Sequence, residues 1–292
     1  MPVADPLPSL SVVISCRNSA STLAETLDAI AGQQYPAWWE VVVVDNGSTD
    51  ATSAVAQSFA DRLPHFSLLT PPEPGYQARG INHGIEHSKG EAVVFLDSDD
   101  LVGPDYLLHL GRALATRPFV GAKLDIDRLN PPDVRARRRP LQTDRIDTFC
   151  GYLPAVVGAA MAARRGPLEH VGGWDDRLPT QHDLDLSWRL SRAGYPATLV
   201  PEAVLHYRYR TGVRAIFEQE YGYGDGEVAL YRKYRSAGLR RRGPRQLAAG
   251  SWQFALAVLR LPRPGGAARL ATVLGINLGR LRGSIRLHTW YP

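Results

Sequence analysis

Two apolar runs, EVVVVD at residues 40–45 and AVVFLD at residues 92–97, each end in an aspartate. An unbroken β-branched run of this length suits a strand buried on both faces. Such strands belong to parallel sheets covered by helices. The residues around them alternate between strand and helix patterns. Residues 10–14 read as a first strand, and Thr22 with Glu25 three positions on reads as a capping box opening a helix. Asn46-Gly47-Ser48 reads as a turn, followed by a helix from about residue 50 and a strand over 66–70. After a loop at 71–75 come a helix over 77–88, the strand at 92–97, another helix and a strand over 119–124. This alternation predicts an α/β fold with a doubly wound, mainly parallel sheet and helices on both faces. At 292 residues the chain exceeds the usual single-domain size, so one α/β domain with an appendage is expected.

In open parallel sheets, ligands bind beyond the carboxyl ends of the strands. Asp45 lies at one such end, and Asp97 lies at the other with Ser98, Asp99 and Asp100 behind it. Neighbouring carboxylates repel one another unless a cation holds them. Asp97-Ser98-Asp99 is therefore expected to reach Mg²⁺ or Mn²⁺, whose coordination substrate phosphates would complete. The alternative is that Asp99 or Asp100 caps the following helix. Asp45 has two compatible readings: it can hold the turn after it, and it can accept a hydrogen bond from a nucleobase N–H.

Cys16 and Cys150 form no CxxC or Cys/His cluster, which excludes a disulfide scaffold or structural zinc and fits a reducing compartment. Residues 1–10 are proline-rich and show no basic segment followed by an apolar one, so the expected location is cytoplasmic. Charge is unevenly spread. Thirteen of the 34 Lys and Arg follow Glu227, beyond which no Asp or Glu occurs, leaving 21 basic and all 29 acidic side chains in the part that ends with it. Apolar stretches at 251–261 and 270–281 fall short of the ~20 residues that span a bilayer. With Arg240–Arg242 and Arg245 they read as helices on an anionic membrane surface, peripheral on its inner face. Packing on the main domain or on a second copy in a homo-oligomer is the alternative. Nucleic acid would explain the basic tail but not the acid-lined strand ends, so it is not expected as a partner.

Five motifs in order, VVISCRN (12–18), VVVVDNGSTDAT (41–52), GEAVVFLDSDD (90–100), VGGWDDRL (171–178) and HDLDLSWRLSRAGY (182–195), resemble those of family 2 glycosyltransferases. The resemblance spans roughly Ser9 to Tyr209 and implies a GT-A fold, in which a Rossmann-like nucleotide half joins an acceptor half. It implies a catalytic domain over 1–210, with a nucleotide part to about 100, and leaves 211–292 as a basic helical extension. It also implies inverting, metal-assisted single displacement from a UDP-, dTDP- or GDP-sugar to a glycan, lipid-linked or small-molecule acceptor. Position by position, Asp45 would bind the base, Asp97 the ribose or sugar, and Asp99 the metal, with His206 completing the metal or phosphate site. Ser15, Arg17, Asn18, Asn46, Arg79 and Ser98 join the expected donor set, and Asp183 falls at the catalytic base. On the acceptor side stand His182, Asp185, Trp174 and Trp188; the alternatives are a helix salt bridge for Asp185 and core packing for the tryptophans.

The sequence departs from the family at Ser15-Cys16-Arg17-Asn18 and at His182, which replaces the usual glutamate. A protonated His182 would lower the pKa of Asp183. These departures leave a non-catalytic sugar-nucleotide binder as the rival reading. The absence of G-x-G-x-x-G after the first strand excludes a Rossmann oxidoreductase.

Overall fold

The computed structural model describes residues 6–138 and 140–292; the start of the proline-rich segment, Met1–Asp5, lies outside them. The first half runs β1 (Leu10–Cys16), α1 (Leu23–Ala31), β2 (Trp39–Asp45), α2 (Thr52–Gln57), β3 (Ser67–Leu69), α3 (Gln77–Glu86), β4 (Ala92–Leu96) and β5 (Leu101–Val102). Then come α4 (Tyr106–Thr116), β6 (Phe119–Asp125), α5 (Pro132–Arg135), the short hairpin β7 (Thr148–Phe149) and β8 (Leu153–Pro154), β9 (Met161–Arg164), α6 (Arg165–His170), α7 (His182–Arg192) and β10 (Thr198–His206). Three helices follow: α8 (Val213–Tyr234), α9 (Pro244–Leu259) and α10 (Gly266–Arg286).

One eight-stranded sheet has the order β3-β2-β1-β4-β9-β6-β10-β5. Pairings from β3 to β4 and between β6 and β10 are parallel; β9 and β5 pair antiparallel. The period-two alternation of strands decides which helix covers which residue. Leu10, Val12 and Ile14 of β1 pack with α1 and α4 through Leu23, Leu27, Ile30 and Leu110. Val13 faces the other way with Val42 and Val44, against Ala78 and Ile81 of α3 and Leu186 of α7. The valine runs are therefore buried on both faces, as their composition requires.

Thr22 makes no capping box. Its hydroxyl turns to the Ser19 carbonyl at 3.4 Å, and Glu25 is held by Arg208 at 2.7 Å. A partner from the segment after β10, far along the chain, wins over the local motif. Neither Asp99 nor Asp100 caps a helix, because β5 intervenes and α4 starts at Tyr106 after Asp105.

Glycines 275, 279 and 283 of α10, spaced by four, bring that helix against α8. A Cβ on Gly275 would lie 2.7 Å from the Phe217 carbonyl oxygen, and one on Gly279 would overlap the Tyr221 carbonyl. Across this seam Arg280 binds Glu227 at 2.7 Å and Arg286 binds the buried Asp225 at 2.6 Å. Two arginines of the basic extension are thus engaged within the protein. The others leave α9 and α10 basic, and Trp252, Leu259, Leu281, Ile285 and Trp290 are exposed there. Among the described residues, no helix is long and apolar enough to cross a membrane.

Candidate active site

Loops leave the carboxyl ends of β1, β2, β4 and β10 on one side of the sheet and enclose a polar cavity of about 470 Å³. Ser15, Arg17 and Asn18 come from the end of β1, Asn46 from β2, Asp97, Ser98 and Asp99 from β4, and Arg208 and Arg210 from the segment after β10. Asn18 takes a left-handed backbone, φ 53°, and clamps two loops: its N–H donates to Ser48 Oγ and its side-chain oxygen accepts from Thr49 N–H. Asn46 pins the loop after β3 through a reciprocal 3.0 Å pair with Gly75. Ser98 Oγ lies 2.7 Å from Ser19 Oγ.

Asp45 lies behind this wall, 5% exposed. One carboxylate oxygen accepts Ser48 N–H at 2.8 Å and the other accepts the Ser53 hydroxyl, so it holds the D-N-G-S turn. Arg79 does not reach the cavity: it faces Glu73 at 3.2 Å and Asp176 at 3.8 Å.

Asp97, Asp99 and Asp100 present carboxylate oxygens that all lie within 4.8 Å of one another. Burial raises all three. Asp97 is pushed up to about 7, further driven by Asp99 and opposed by a 2.6 Å hydrogen bond from Gln77. Arg210 and Arg208 partly offset the rise at Asp99. Asp100 is pushed well above the carboxylate range; one of its oxygens accepts the Arg208 N–H and the other is buried without a partner. Crowded, partly unsatisfied carboxylates with no lysine among them fit a hard divalent cation.

That crowding gives a pH-dependent prediction. The folded, metal-free chain holds protons on these acids that the unfolded chain releases near the ordinary value of 3.8. Stability of the metal-free protein therefore falls as pH rises from about 4 through about 7. A cation removes that penalty only where the acids are ionised. Manganese at a hundredfold excess over its Kd is worth ~2.7 kcal/mol, or on the order of 5–10 °C in a domain of this size. We expect an increase of that size at pH 8 and almost none at pH 5, by differential scanning fluorimetry. Equal shifts at both pH values would place the cation elsewhere.

Asp183 opens α7. The preceding Gln181 has φ 58°, and the loop is tied to α8 by Thr180 Oγ1 donating to the Gly222 carbonyl at 2.8 Å and Gln181 Nε2 donating to the Tyr223 carbonyl at 3.1 Å. Asp183 accepts Gly158 N–H at 3.1 Å and Leu184 N–H at 2.9 Å. It lines a cavity of about 300 Å³ that shares Tyr207, Gln219 and Tyr223 with the polar one. Its charge contributes to the upward shift at Asp97, so the two carboxylates lie within electrostatic reach of one another.

The other residues expected on the acceptor side divide differently. Asp185 is fully buried and accepts from Arg189 at 2.7 Å, Lys233 at 2.5 Å and the Tyr234 hydroxyl at 2.7 Å. It is a structural anchor with no free face for an acceptor. Trp188 is corrected likewise: fully buried, it donates to the Leu153 carbonyl and packs edge-on to Tyr152 and Tyr234. Trp174 is 3% exposed, its ring against Phe95 and His182 and its backbone clamped by Asn82, so its face is not open to a sugar. His182 is buried too. Burial lowers its pKa against the pull of Asp183 and Asp185, so the imidazole is held neutral and the expectation of a protonated neighbour to Asp183 is overturned.

His206 stands apart from the acid cluster. Its Nδ1 bonds Asp125 at 2.5 Å, and its Nε2 faces Gly103. It is not part of the Asp97, Asp99 and Asp100 group, so the metal expectation is corrected: Asp125 holds the ring at the end of β10, between β6 and β5. Sequence reasoning missed Arg208 and Arg210, which face the acids, and Gln219 and Tyr223 of α8, which join the two cavities. The arginines sit in an alternating RYR segment at 208–210 just past the last strand, a signal of its own. The α8 pair carries none.

Comparison with known proteins adds a family. The model for glycosyl transferase family 2 matches residues 11–172, and that for glycosyl transferase family group 2 matches residues 92–278. Poly-beta-1,6-N-acetyl-D-glucosamine synthase of Staphylococcus epidermidis is 22% identical over 231 residues, 76% of this chain and 55% of the synthase, so the chain spans about half the length of that relative. Glycosyltransferase AglE of Haloferax volcanii is 26% identical over 231 residues, 77% of this chain and 75% of AglE. Among solved structures, mannosyltransferase PcManGT from Pyrobaculum calidifontis, in complex with GDP-Man and Mn²⁺, is 20% identical with a TM-score of 0.68, over 97% of this chain and 89% of that one. At that identity the likeness concerns the fold, which is GT-A.

Proposed function

Because the chain belongs to glycosyl transferase family 2, we propose that it is an inverting enzyme moving a sugar from a nucleotide-sugar donor onto an acceptor hydroxyl. One observation carries this reading. A cavity at the carboxyl ends of the parallel strands is lined by Asp97 and Asp99, with Asp100 buried against them, and a second cavity carrying Asp183 opens beside it. An acid cluster with room for a diphosphate, next to an acid aimed at a separate cavity, suits transfer between two substrates. A sugar-nucleotide binder needs no base facing a second cavity.

In this reading the nucleoside lies across the ends of β1 and β2, against Ser15, Arg17, Asn18 and Asn46, with Asp45 behind them as acceptor for a base N–H. Asp97 and Ser98 hold the ribose and sugar side, and Asp99 with Asp100 would hold the divalent cation. Bound there, the cation would neutralise charge on the departing diphosphate. Arg208 and Arg210 add fixed positive charge on the same side of the cavity. Asp183 takes the proton from the attacking hydroxyl, and attack from the face opposite the leaving group inverts the anomeric centre in one displacement. His182, held neutral, adds no charge beside that base.

Calorimetric titration of UDP, dTDP and GDP tests the donor side. We expect one of them to bind in Mn²⁺ about tenfold or more tighter than in EDTA, and Asp99→Asn to abolish the difference. Metal-independent binding of every nucleotide would contradict the assignment of the acid cluster.

A further inference from the structure

A third cavity, of about 310 Å³, lies where α5, α8, α9 and α10 meet. Its walls combine two chemistries that seldom share a pocket: apolar side chains such as Val134, Ile216 and Leu256, and the guanidinium groups of Arg137, Arg138, Arg210 and Arg269. Arg137 pairs with Asp133 and Arg138 with Glu220, each at 2.8 Å. Among the described residues, Arg210 and Arg269 have no ion-pair partner. Arg210 is offset at longer range by Asp97 and Asp99, so Arg269 is the cation of this cavity left without an acid beside it among the described residues.

The cavity is also placed to serve the transfer site. Arg210 lines both it and the acid-bearing cavity, and Arg138 lines both it and the cavity of Asp183. On the far side, Val273 is shared with an apolar groove of about 420 Å³ between α9 and α10, lined by Leu247, Phe254, Leu278 and Trp290. The same two helices expose Trp252, Leu259 and Ile285, on a stretch with no acidic residue after Glu227.

Free phosphate would gain nothing from the apolar walls, and an uncharged lipid would leave the Arg269 guanidinium desolvated without a partner. An anion carried on an apolar chain satisfies both. We propose that this cavity binds the phosphate or diphosphate of a lipid acceptor, whose apolar chain follows the α9–α10 groove and whose hydroxyl-bearing head reaches Asp183. The word acceptor rests on the transferase reading; the binding itself does not.

The test uses the full chain and calorimetry with farnesyl phosphate, with farnesol and inorganic phosphate as separate probes. Farnesyl phosphate is expected to bind at least about tenfold tighter than either, and Arg269→Gln to weaken it about tenfold, the scale of one charge-assisted hydrogen bond. Nucleotide affinity should stay the same in Arg269→Gln. Equal binding of farnesol would show apolar partition alone, and equal binding of inorganic phosphate a simple anion site; either overturns the proposal. So would unchanged farnesyl phosphate affinity in Arg269→Gln. If that variant melts early, Arg269→Lys, which keeps the charge, must bind farnesyl phosphate at least about fivefold tighter than Arg269→Met, which keeps only the apolar stem, and equal affinity in the two overturns the proposal. Nucleotide titration of the same samples separates the two readings: lost nucleotide binding counts against the transferase, and lost lipid-phosphate binding counts against this pocket.

Discussion

Asp183→Asn is expected to lower turnover by about 10²–10⁴-fold while donor affinity stays near wild type and the melting temperature falls by only a few degrees. The substitution keeps the side chain's shape, but Gly158 N–H and Leu184 N–H donate to different carboxylate oxygens, so Asn keeps one of these two bonds and the loss is about 1 kcal/mol, a few degrees in melting temperature. What it removes besides is the ability to take a proton. Asp183 has no ion pair among the described residues, so no buried cation is orphaned. The check is steady-state nucleoside-diphosphate release beside nucleotide titration and a thermal melt. A small drop in turnover would mean that another group takes the proton. A large fall in melting temperature would mean that Asp183 holds the fold and the rate effect is secondary.

Two residues along the same helix, Asp185→Ala is expected to do the reverse. Asp185 is fully buried beneath Arg189, Lys233 and Tyr234. Removing one member of a buried charged network costs ~3–5 kcal/mol, because the partners stay desolvated. Lys233 keeps Asp175 and Arg189 keeps the Val171 carbonyl, which places the expected loss toward the lower end. In a protein of this size it corresponds to a fall in melting temperature on the order of 10 °C. Denaturant melts should show a reduced midpoint with an unchanged slope. Turnover of the fraction that remains folded should be close to wild type. A variant that melts normally but no longer transfers sugar would return Asp185 to the acceptor site.

The contrast between these neighbours marks the limit of what the sequence discloses. Residues two apart on an α-helix point about 200° away from each other, so one must face the cavity and the other the interior. HDLD places both acids correctly on a helix but does not say which faces which way, because α8 supplies the partners of Asp185 from some fifty residues downstream. The strand ends were easier to read. A valine run can be buried on both faces only inside a covered parallel sheet, and that puts Asp97 and Asp99 where the cavity forms. β9 and β5 escaped notice because a four-residue and a two-residue strand carry too little pattern. The spacing of Gly275, Gly279 and Gly283 was visible, yet it lies among arginines that suggested an exposed surface. Only the approach of the α8 backbone shows that these glycines form a seam. Trp174 and Trp188 illustrate the same ambiguity, since a large aromatic beside a site serves equally as wall or as core.

α8 alters how the extension is understood. Its carbonyls hold the loop before Asp183, and its Gln219 and Tyr223 stand between the two cavities. The helical extension is therefore part of the site's architecture, and α10 braces it from behind.

The most direct measurement of the central claim is nucleoside-diphosphate release from a panel of UDP-, dTDP- and GDP-sugars, with Mn²⁺ and with EDTA. The account predicts release from one donor class in Mn²⁺ and its loss in EDTA. Tight, metal-dependent nucleotide binding with no release from any donor, even with farnesyl-diphosphate-linked and simple sugar acceptors supplied, would contradict it and leave a protein that holds sugar nucleotides without transferring them.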